Sequence, residues 1–93
     1  MIMNNYSYPI FPDWSKEELM DMMALYNSVE SAYEDANGVN AEKVVKLYNR
    51  FREINPAKME QKQIDRDFQS ISDYSIYRTF QAATKAKTKN IRM

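Results

Sequence analysis

The stretch Glu60–Phe80 (EQKQIDRDFQSISDYSIYRTF) decides the fold, because it carries two helical patterns separated by a break. Apolar residues recur at helical spacing on both sides of that break: Ile64, Phe68 and Ile71 before it, and Ile76, Tyr77 and Phe80 after it. Residues 70–75 (SISDYS) contain few strong helix formers, since Ser and Asp favour helix caps over helix interiors. The stretch therefore predicts two helices that meet at a corner.

Start and stop signals place a helix upstream of this corner. Ser15 suits an N-cap, and Glu18 three residues later completes a capping box. Trp14 and Leu19 then occupy the positions of a hydrophobic staple. The helix shows one apolar face, formed by Leu19, Met22, Met23, Tyr26, Val29, Tyr33 and Ala36. The dipeptide at residues 37–38 ends it, with glycine supplying a left-handed residue.

A second helix begins at its N-cap Asn40 and stops before Pro56. The third follows at once, with Asn55 as its cap and Pro56 at the favoured first position, and runs to about Ile71. The fourth runs from about residue 75 to residue 87, and its cap stays open among Ser72, Asp73 and Ser75.

The predicted fold is all-α: a compact four-helix array with an extended N-terminal arm, in a single domain over residues 1–93. Three helices with a long third helix are the alternative. The aromatic arm covers residues 1–14, where Pro9 and Pro12 keep the chain extended. Residues 88–93 are expected to be a frayed basic tail. No alternating run is long enough to predict a sheet.

The composition excludes several kinds of chemistry. The chain contains no His and no Cys, so the usual zinc, copper and haem ligand sets and the Ser/His/Asp and Cys/His nucleophiles are absent. A single glycine leaves no glycine-rich phosphate loop. The acids Glu17, Glu18 and Asp21 are accounted for by the dipole of the first helix. We therefore predict no catalytic, cofactor-binding or metal-binding residues, no cofactor and no enzymatic activity.

The apolar residues do not form a membrane-spanning segment. No run approaches the roughly 18 apolar residues that a span needs. The N-terminal sequence MIMNNYSYP lacks the basic and apolar regions of a secretory signal. A cytoplasmic protein without membrane contact is expected.

Charge is distributed unevenly along a chain of zero net charge. Residues 1–42 hold eight acids and one base, a net charge of −7, whereas residues 43–93 hold twelve bases and five acids, a net charge of +7. Two rows of like charge result: Lys43, Lys46 and Arg50 on the second helix, and Lys58, Lys62 and Arg66 on the third. Such rows are mildly destabilising unless anions offset them. We favour offset by Glu30, Glu34 and Asp35 of the first helix, and keep an acidic partner as the alternative.

Four residues around the corner form a candidate interaction surface: Arg66, Tyr74, Tyr77 and Arg78. Tyr and Arg are enriched at interface hot spots. Tyr77, however, lies beside Ile76 on an apolar stripe, so the residue is expected to be mostly core, with Tyr74 and Arg78 as the surface contacts. An acid at position 65, 67 or 73 would hold one of the two arginines.

Several blocks of sequence carry a resemblance to a known family: YSYP at residues 6–9, DWS at residues 13–15 followed by Glu17 and Glu18, YNRFREI at residues 48–54, KQIDRDF at residues 62–68 and YSIYR at residues 74–78. Together they resemble the YktA-like uncharacterised protein family of Gram-positive bacteria over roughly residues 6–87. The resemblance implies a small all-helical cytoplasmic protein and assigns no activity or ligand to any position. That family often has glycine where this chain has Asp73.

The function hypothesis that follows is a non-catalytic interaction or adaptor protein with an unknown protein partner, and assembly with copies of itself stays open. Weak, non-specific nucleic-acid binding through the basic C-terminal half is the alternative. The half lacks a recognisable nucleic-acid motif, so nucleic acid is the less favoured partner.

Overall fold

The computed structural model describes residues 8–93, so the first seven residues of the predicted arm lie outside the described residues. The elements in chain order are α1 (Lys16–Glu34), β1 (Val39–Asn40), α2 (Ala41–Ile54), α3 (Lys58–Ser72), α4 (Ile76–Lys85) and β2 (Asn90–Ile91). The four-helix, mostly α fold is confirmed, and the alternative of three helices is wrong. Whether residues 1–93 form a single domain stays a prediction.

Two of the four helices, α1 and α2, begin at the caps that the sequence predicts, and α4 begins at Ser75, one of its three candidate caps. The Ser15 side chain accepts from the Glu18 amide while the Glu18 side chain accepts from the Ser15 amide, which closes a capping box. Asn40 accepts from the amide of Lys43, and Ser75 accepts from the amide three residues after it. These contacts satisfy amides that helical geometry leaves without partners.

The predicted start of the third helix is wrong. Helix α3 begins at Lys58, and Ala57 occupies the N-cap without a side-chain hydrogen bond. Asn55, the predicted cap, instead ends α2 and is buried, with its side chain donating to the Phe51 carbonyl and accepting from the Trp14 indole. A buried amide group is stabilised by several hydrogen bonds, and a surface helix cap offers it fewer.

The corner between α3 and α4 is confirmed as a break. Asp73 has a φ of 68°, in the left-handed region, and ends α3. The Ser72 hydroxyl donates to the Phe68 carbonyl at 2.7 Å and accepts from the Tyr74 amide at 3.1 Å. A side chain with a Cβ is strained in this backbone conformation, which glycine adopts freely.

We therefore expect Asp73→Gly to raise the free energy of unfolding by about 0.5–1 kcal/mol, because glycine removes the strain at φ 68°. Urea denaturation measures the change. Gln69→Gly, on the exposed face of α3, is the matched control and should lower the free energy of unfolding by about 0.5 kcal/mol. Destabilisation by both changes would contradict the assigned strain.

The C-terminal tail is attached, which corrects the expectation that residues 88–93 fray and that no sheet forms. Strands β1 and β2 pair antiparallel, with Val39 opposite Ile91. Ile91 is buried beside Val39 and Ala83, and the Met93 amide donates to the Ala32 carbonyl at 2.7 Å. Strands of two residues are too short to show an alternating pattern in the sequence. The tail is held by the burial of Ile91 and by backbone hydrogen bonds.

Gly38 makes this attachment sterically feasible. The residue has a φ of 69°, and a Cβ placed there would collide with the Ile91 carbonyl. We expect Gly38→Ala to lower the free energy of unfolding by about 2 kcal/mol, because left-handed strain adds to the collision. Asn37→Ala, exposed in the same turn, should change stability by less than about 0.5 kcal/mol. Equal thermal melting points for the two variants would refute the close approach.

An aromatic stack anchors the arm to the helices. The rings of Tyr26 and Phe68 are stacked at 5.0 Å, and Tyr8 from the arm stacks on Tyr26 at 5.2 Å. The Tyr26 hydroxyl donates to the Pro9 carbonyl at 2.7 Å, and the Tyr8 hydroxyl donates to the Glu30 carboxylate. Burial raises the pKa of the Tyr26 phenol, and the Asp67 carboxylate raises it further. Three aromatic residues of the arm, Tyr8, Phe11 and Trp14, thus pack against the core, whereas Ile10 between them is exposed.

Candidate functional site

A groove with a volume of about 700 Å³ lies where the end of α2 meets the first turns of α3 and α4. We call it the aromatic groove. Its apolar lining is mostly aromatic and comes chiefly from α2 and α4, with Tyr48, Tyr77 and Phe80 among the residues. Its charged lining comes from α2 and α3 and consists of Arg52, Lys58, Lys62 and Asp65. It combines an apolar surface with charged groups, the usual composition of a recognition site.

The aromatic wall consists of two stacked rings with a guanidinium beside them. The rings of Tyr48 and Phe80 stack at 3.9 Å with an interplanar angle of 13°. The Arg52 guanidinium lies 5.2 Å from the centroid of Tyr48 and 5.4 Å from that of Phe80. Both distances are within the range of a cation–π contact. Burial raises the pKa of the Tyr48 phenol, so the wall stays neutral at physiological pH.

Asp65 is the acid that lines the aromatic groove, and its carboxylate is hydrogen-bonded to the start of α4. Its carboxylate accepts from the Ile76 amide at 2.8 Å and from the Tyr77 amide at 3.4 Å, at the positive end of the α4 dipole. Burial raises the pKa of the carboxyl group, although these amides and the charge of Arg78 oppose the rise. Because the Asp65 carboxylate is bound to these amides at the corner between α3 and α4, the cations are the charged groups of the groove that a ligand can bind.

The cations of the aromatic groove are exposed and form no ion pairs within the described residues. Both ion pairs found across residues 8–93 belong to Arg50, which binds Asp21 at 2.8 Å and Glu53 at 3.4 Å. Arg52 donates to the amide oxygen of Asn49, a neutral partner. The groove therefore presents positive charge to solvent.

The structure separates the four predicted surface residues. Tyr77 is 48% exposed and lines the aromatic groove, so the expectation that this residue is mostly core is wrong. Arg78 follows it on α4 and is exposed. Arg66 is exposed one turn beyond Lys62, on the same row of α3 but outside the groove. No predicted acid forms an ion pair with either arginine across residues 8–93.

Tyr74 is partly buried and makes internal contacts, and its role as a surface contact stays a prediction. Its ring stacks on Tyr33 at 4.3 Å, and its hydroxyl donates to the Glu34 carboxylate at 2.6 Å. This hydrogen bond, followed by partial burial, raises the pKa of the Tyr74 phenol to about 12. The residue joins the corner to α1.

Among the ion pairs found across residues 8–93, the one that joins a basic row to α1 is that of Arg50 with Asp21, near the start of α1. Glu30 and Glu34, near the end of α1, accept from the hydroxyls of Tyr8 and Tyr74. Offset of the basic rows by Glu30, Glu34 and Asp35 stays a prediction. Most lysines of the rows face solvent without a bound anion in the described part of the chain.

Sequence analysis missed Arg52 and the roles of Tyr48 and Phe80. Tyr48 is buried, yet it also lines the aromatic groove. The spacing of Tyr48 and Arg52, four residues apart on one helix face, was the available signal. The contact with Phe80 depends on how α2 and α4 pack, which no local pattern shows.

Among residues 8–93, no three acidic side chains lie close enough together to hold a metal ion. Within the same range, the structure has no helix with the length and apolar character required to cross a bilayer.

Comparison with known proteins identifies the family. A family model described as an uncharacterised protein family, UPF0223, matches residues 5–92. A UPF0223 protein of Bacillus mycoides (strain KBAB4) is 44% identical over 86 residues, covering 92% of this chain and 94% of the relative. A UPF0223 protein of Streptococcus sanguinis (strain SK36) is 45% identical, covering 91% of this chain and 89% of the relative.

A third relative, from Streptococcus gordonii (strain Challis), is 47% identical over 79 residues, covering 85% of this chain and 84% of the relative. These relatives come from Gram-positive bacteria, as the resemblance implies, while the narrower YktA-like name stays a prediction. A match over nearly the whole chain, together with such identities, leads to one conclusion: the chain belongs to the uncharacterised protein family UPF0223.

Proposed function

We propose that this protein is a non-catalytic cytoplasmic interaction or adaptor protein that binds an acidic segment of another protein in the aromatic groove. One observation carries the proposal: a groove with an ordered aromatic wall is surrounded by Arg52, Lys58 and Lys62, none of which has an anionic partner in the described residues. Tyr77 is the exposed aromatic residue beside it.

The chemistry of the groove favours a ligand that is both apolar and acidic. An apolar side chain placed against Tyr48 and Phe80 would be removed from water, which is the main source of binding free energy at such sites. Carboxylates on the same segment would meet the surrounding cations, which steers association and sets orientation. Arg66 and Arg78, exposed nearby on α3 and α4, extend the positive field.

Nucleic acid is the second candidate, because five bases and no acid follow from Arg78 to the chain end. If all five met phosphates, log affinity would fall with log salt at a slope of about −4.5 on duplex DNA. Base stacking needs accessible ring faces. Tyr48 and Phe80 instead stack on each other beneath Arg52. We therefore expect binding to a generic duplex to disappear at physiological salt.

Site-specific photo-cross-linking tests the proposal. A photoreactive phenylalanine analogue at position 77 should trap a protein in a native cytoplasm, and the adduct should persist after nuclease treatment. The same analogue at Met20, 62% exposed on α1 and outside the groove, is the matched control. Homo-oligomerisation would appear as an adduct of this chain with itself.

Charge reversal identifies the determinants. Lys58→Glu combined with Lys62→Glu should abolish the position 77 adduct, whereas Lys85→Glu with Lys87→Glu changes net charge equally outside the groove and should preserve it. The proposal fails if positions 77 and 20 yield the same adducts or if only nucleic acid is trapped. It also fails if neither pair of charge-reversing substitutions changes the yield of the position 77 adduct.

A further inference from the structure

We infer that the bound segment is an acidic amphipathic helix that lies along a second groove as well as the aromatic groove. The inference rests on the proposed function and extends it by naming the conformation and length of the partner segment. It begins from a second groove that sequence analysis did not identify.

The second groove has a volume of about 940 Å³ and lies between the start of α2, the end of α4 and the tail. We call it the lysine groove. Small and apolar residues, among them Ala41, Val45 and Ala83, line it. Three exposed lysines also line it: Lys43, Lys46 and Lys89. It therefore repeats the pairing of apolar surface with unpaired cations found in the aromatic groove.

The two grooves adjoin along the seam between α2 and α4. Val45 lines the lysine groove and Tyr48, one helical turn later, lines the aromatic groove. On α4, Ala83 and Phe80 are related in the same way. Ala41, Val45, Tyr48 and Arg52 follow helical spacing on α2, so the linings form one stripe.

A helix suits this stripe better than an extended segment. Extended peptides commonly bind by adding a strand to a free sheet edge. The walls along the seam are helices, whose backbone groups are already paired internally, and the β1–β2 pair is only two residues long. A helix satisfies its own backbone and presents side chains at i, i+4 and i+7 to an apolar groove.

Charge selects an acidic helix. The linings of the two grooves contain six cations: Lys43, Lys46, Lys89, Arg52, Lys58 and Lys62. They contain two acids, Glu42 and Asp65, and Asp65 is bound to the amides of α4. Lys43 and Lys89 lie beside the start of α2, and Lys58 and Lys62 follow its end, with the Tyr48–Phe80 stack between these two sets. Acids towards both ends of a helix, with apolar residues between, would match this order.

The length of the stripe sets the length of the segment. From Ala41 to Arg52 the axis of α2 rises by about 16 Å, at 1.5 Å per residue. A parallel or antiparallel helix of about three turns covers that distance and reaches both sets of cations. A segment that used the aromatic groove alone would need about half this length.

Selection from a displayed library of random 16-residue peptides tests the inference on the full chain. We expect selected peptides to combine Asp and Glu with apolar residues at i, i+4 and i+7. They should gain helical circular dichroism on binding and shift amide NMR signals of residues lining both grooves. Lys43→Glu combined with Lys46→Glu should weaken their binding about tenfold, as should the pair Lys58→Glu and Lys62→Glu. The reversal at Lys85 and Lys87 should change it less than about twofold.

Each contrary result overturns the inference. Selected peptides without acids, peptides that bind in extended form, or failure to select any peptide would do so. So would indifference to the reversal at Lys43 and Lys46, even though binding in the aromatic groove, and with it the proposed function, would stand. A 16-nucleotide RNA that displaced the peptides at physiological salt would assign the stripe to nucleic acid. Absence of a protein adduct at position 77 of the unmutated chain would overturn the proposed function and the inference with it, whereas indifference to the reversal at Lys43 and Lys46 overturns the inference alone.

Discussion

Phe68→Ala is expected to lower the free energy of unfolding by about 3–5 kcal/mol, the largest effect of any single substitution considered. Phe68 is fully buried and stacks on Tyr26 at 5.0 Å and on Tyr8 at 6.2 Å. Its removal creates a cavity between α3, α1 and the arm. Because two rings lose their stacking partner, the arm is expected to loosen in the same variant.

Urea denaturation followed by far-ultraviolet circular dichroism measures this loss. Phe68→Leu keeps most of the volume and should cost only about 1–1.5 kcal/mol. If the alanine variant is no less stable than the leucine variant, Phe68 is not the centre of the core. Should Phe68→Ala fail to fold, the leucine variant alone still tests the packing.

Trp14→Ala is expected to lower the free energy of unfolding by about 2–4 kcal/mol. The half-buried indole stacks on Phe11 at 5.2 Å, and its N–H donates to the Asn55 side-chain oxygen at 3.0 Å. Asn55 is 2% exposed, so its oxygen would lose a hydrogen bond that water does not easily replace. The tryptophan thus joins the segment before α1 to the end of α2.

Trp14→Phe separates the two contributions. Phenylalanine keeps a stacked ring but has no N–H, so the loss should be about 1–2 kcal/mol, mostly from the unpaired oxygen of Asn55. Guanidinium denaturation, followed by circular dichroism because the only tryptophan is removed, compares the variants. A loss below about 0.5 kcal/mol for Trp14→Ala would mean that the arm is not part of the folded core.

Local signals predicted most of the helical architecture. Ser15 with Glu18 and Asn40 were identified as caps, and Ser75 as one of three candidates, because each contact lies within three residues of chain. The break near residue 73 was identified for the same reason. Apolar periodicity also placed Phe68 and Ile76 in the core.

Predictions that depended on packing were less successful. Asn55 has the sequence context of a helix cap, yet a tryptophan 41 residues earlier binds its side chain in the interior. Arg52 stood in no predicted row, and its contact with Phe80 exists only after α2 and α4 meet. Tyr77 was expected in the core because it lies on the apolar stripe of its helix. Periodicity could not show that Tyr48 and Phe80 fill the space between α2 and α4.

The attached tail couples the start of α2 to the far end of the chain. The Ala41 amide, which opens α2, donates to the Lys89 carbonyl at 2.9 Å, while Met93 is bonded to α1. Amides in the first turn of a helix normally exchange with solvent readily, since no helical carbonyl protects them. Slow native-state hydrogen exchange at Ala41 would therefore report the population in which the tail detaches while the helices persist. The lysine groove, which includes Lys89, would lose one wall in that partly open state, so this amide provides a reporter of how often a binding surface comes apart.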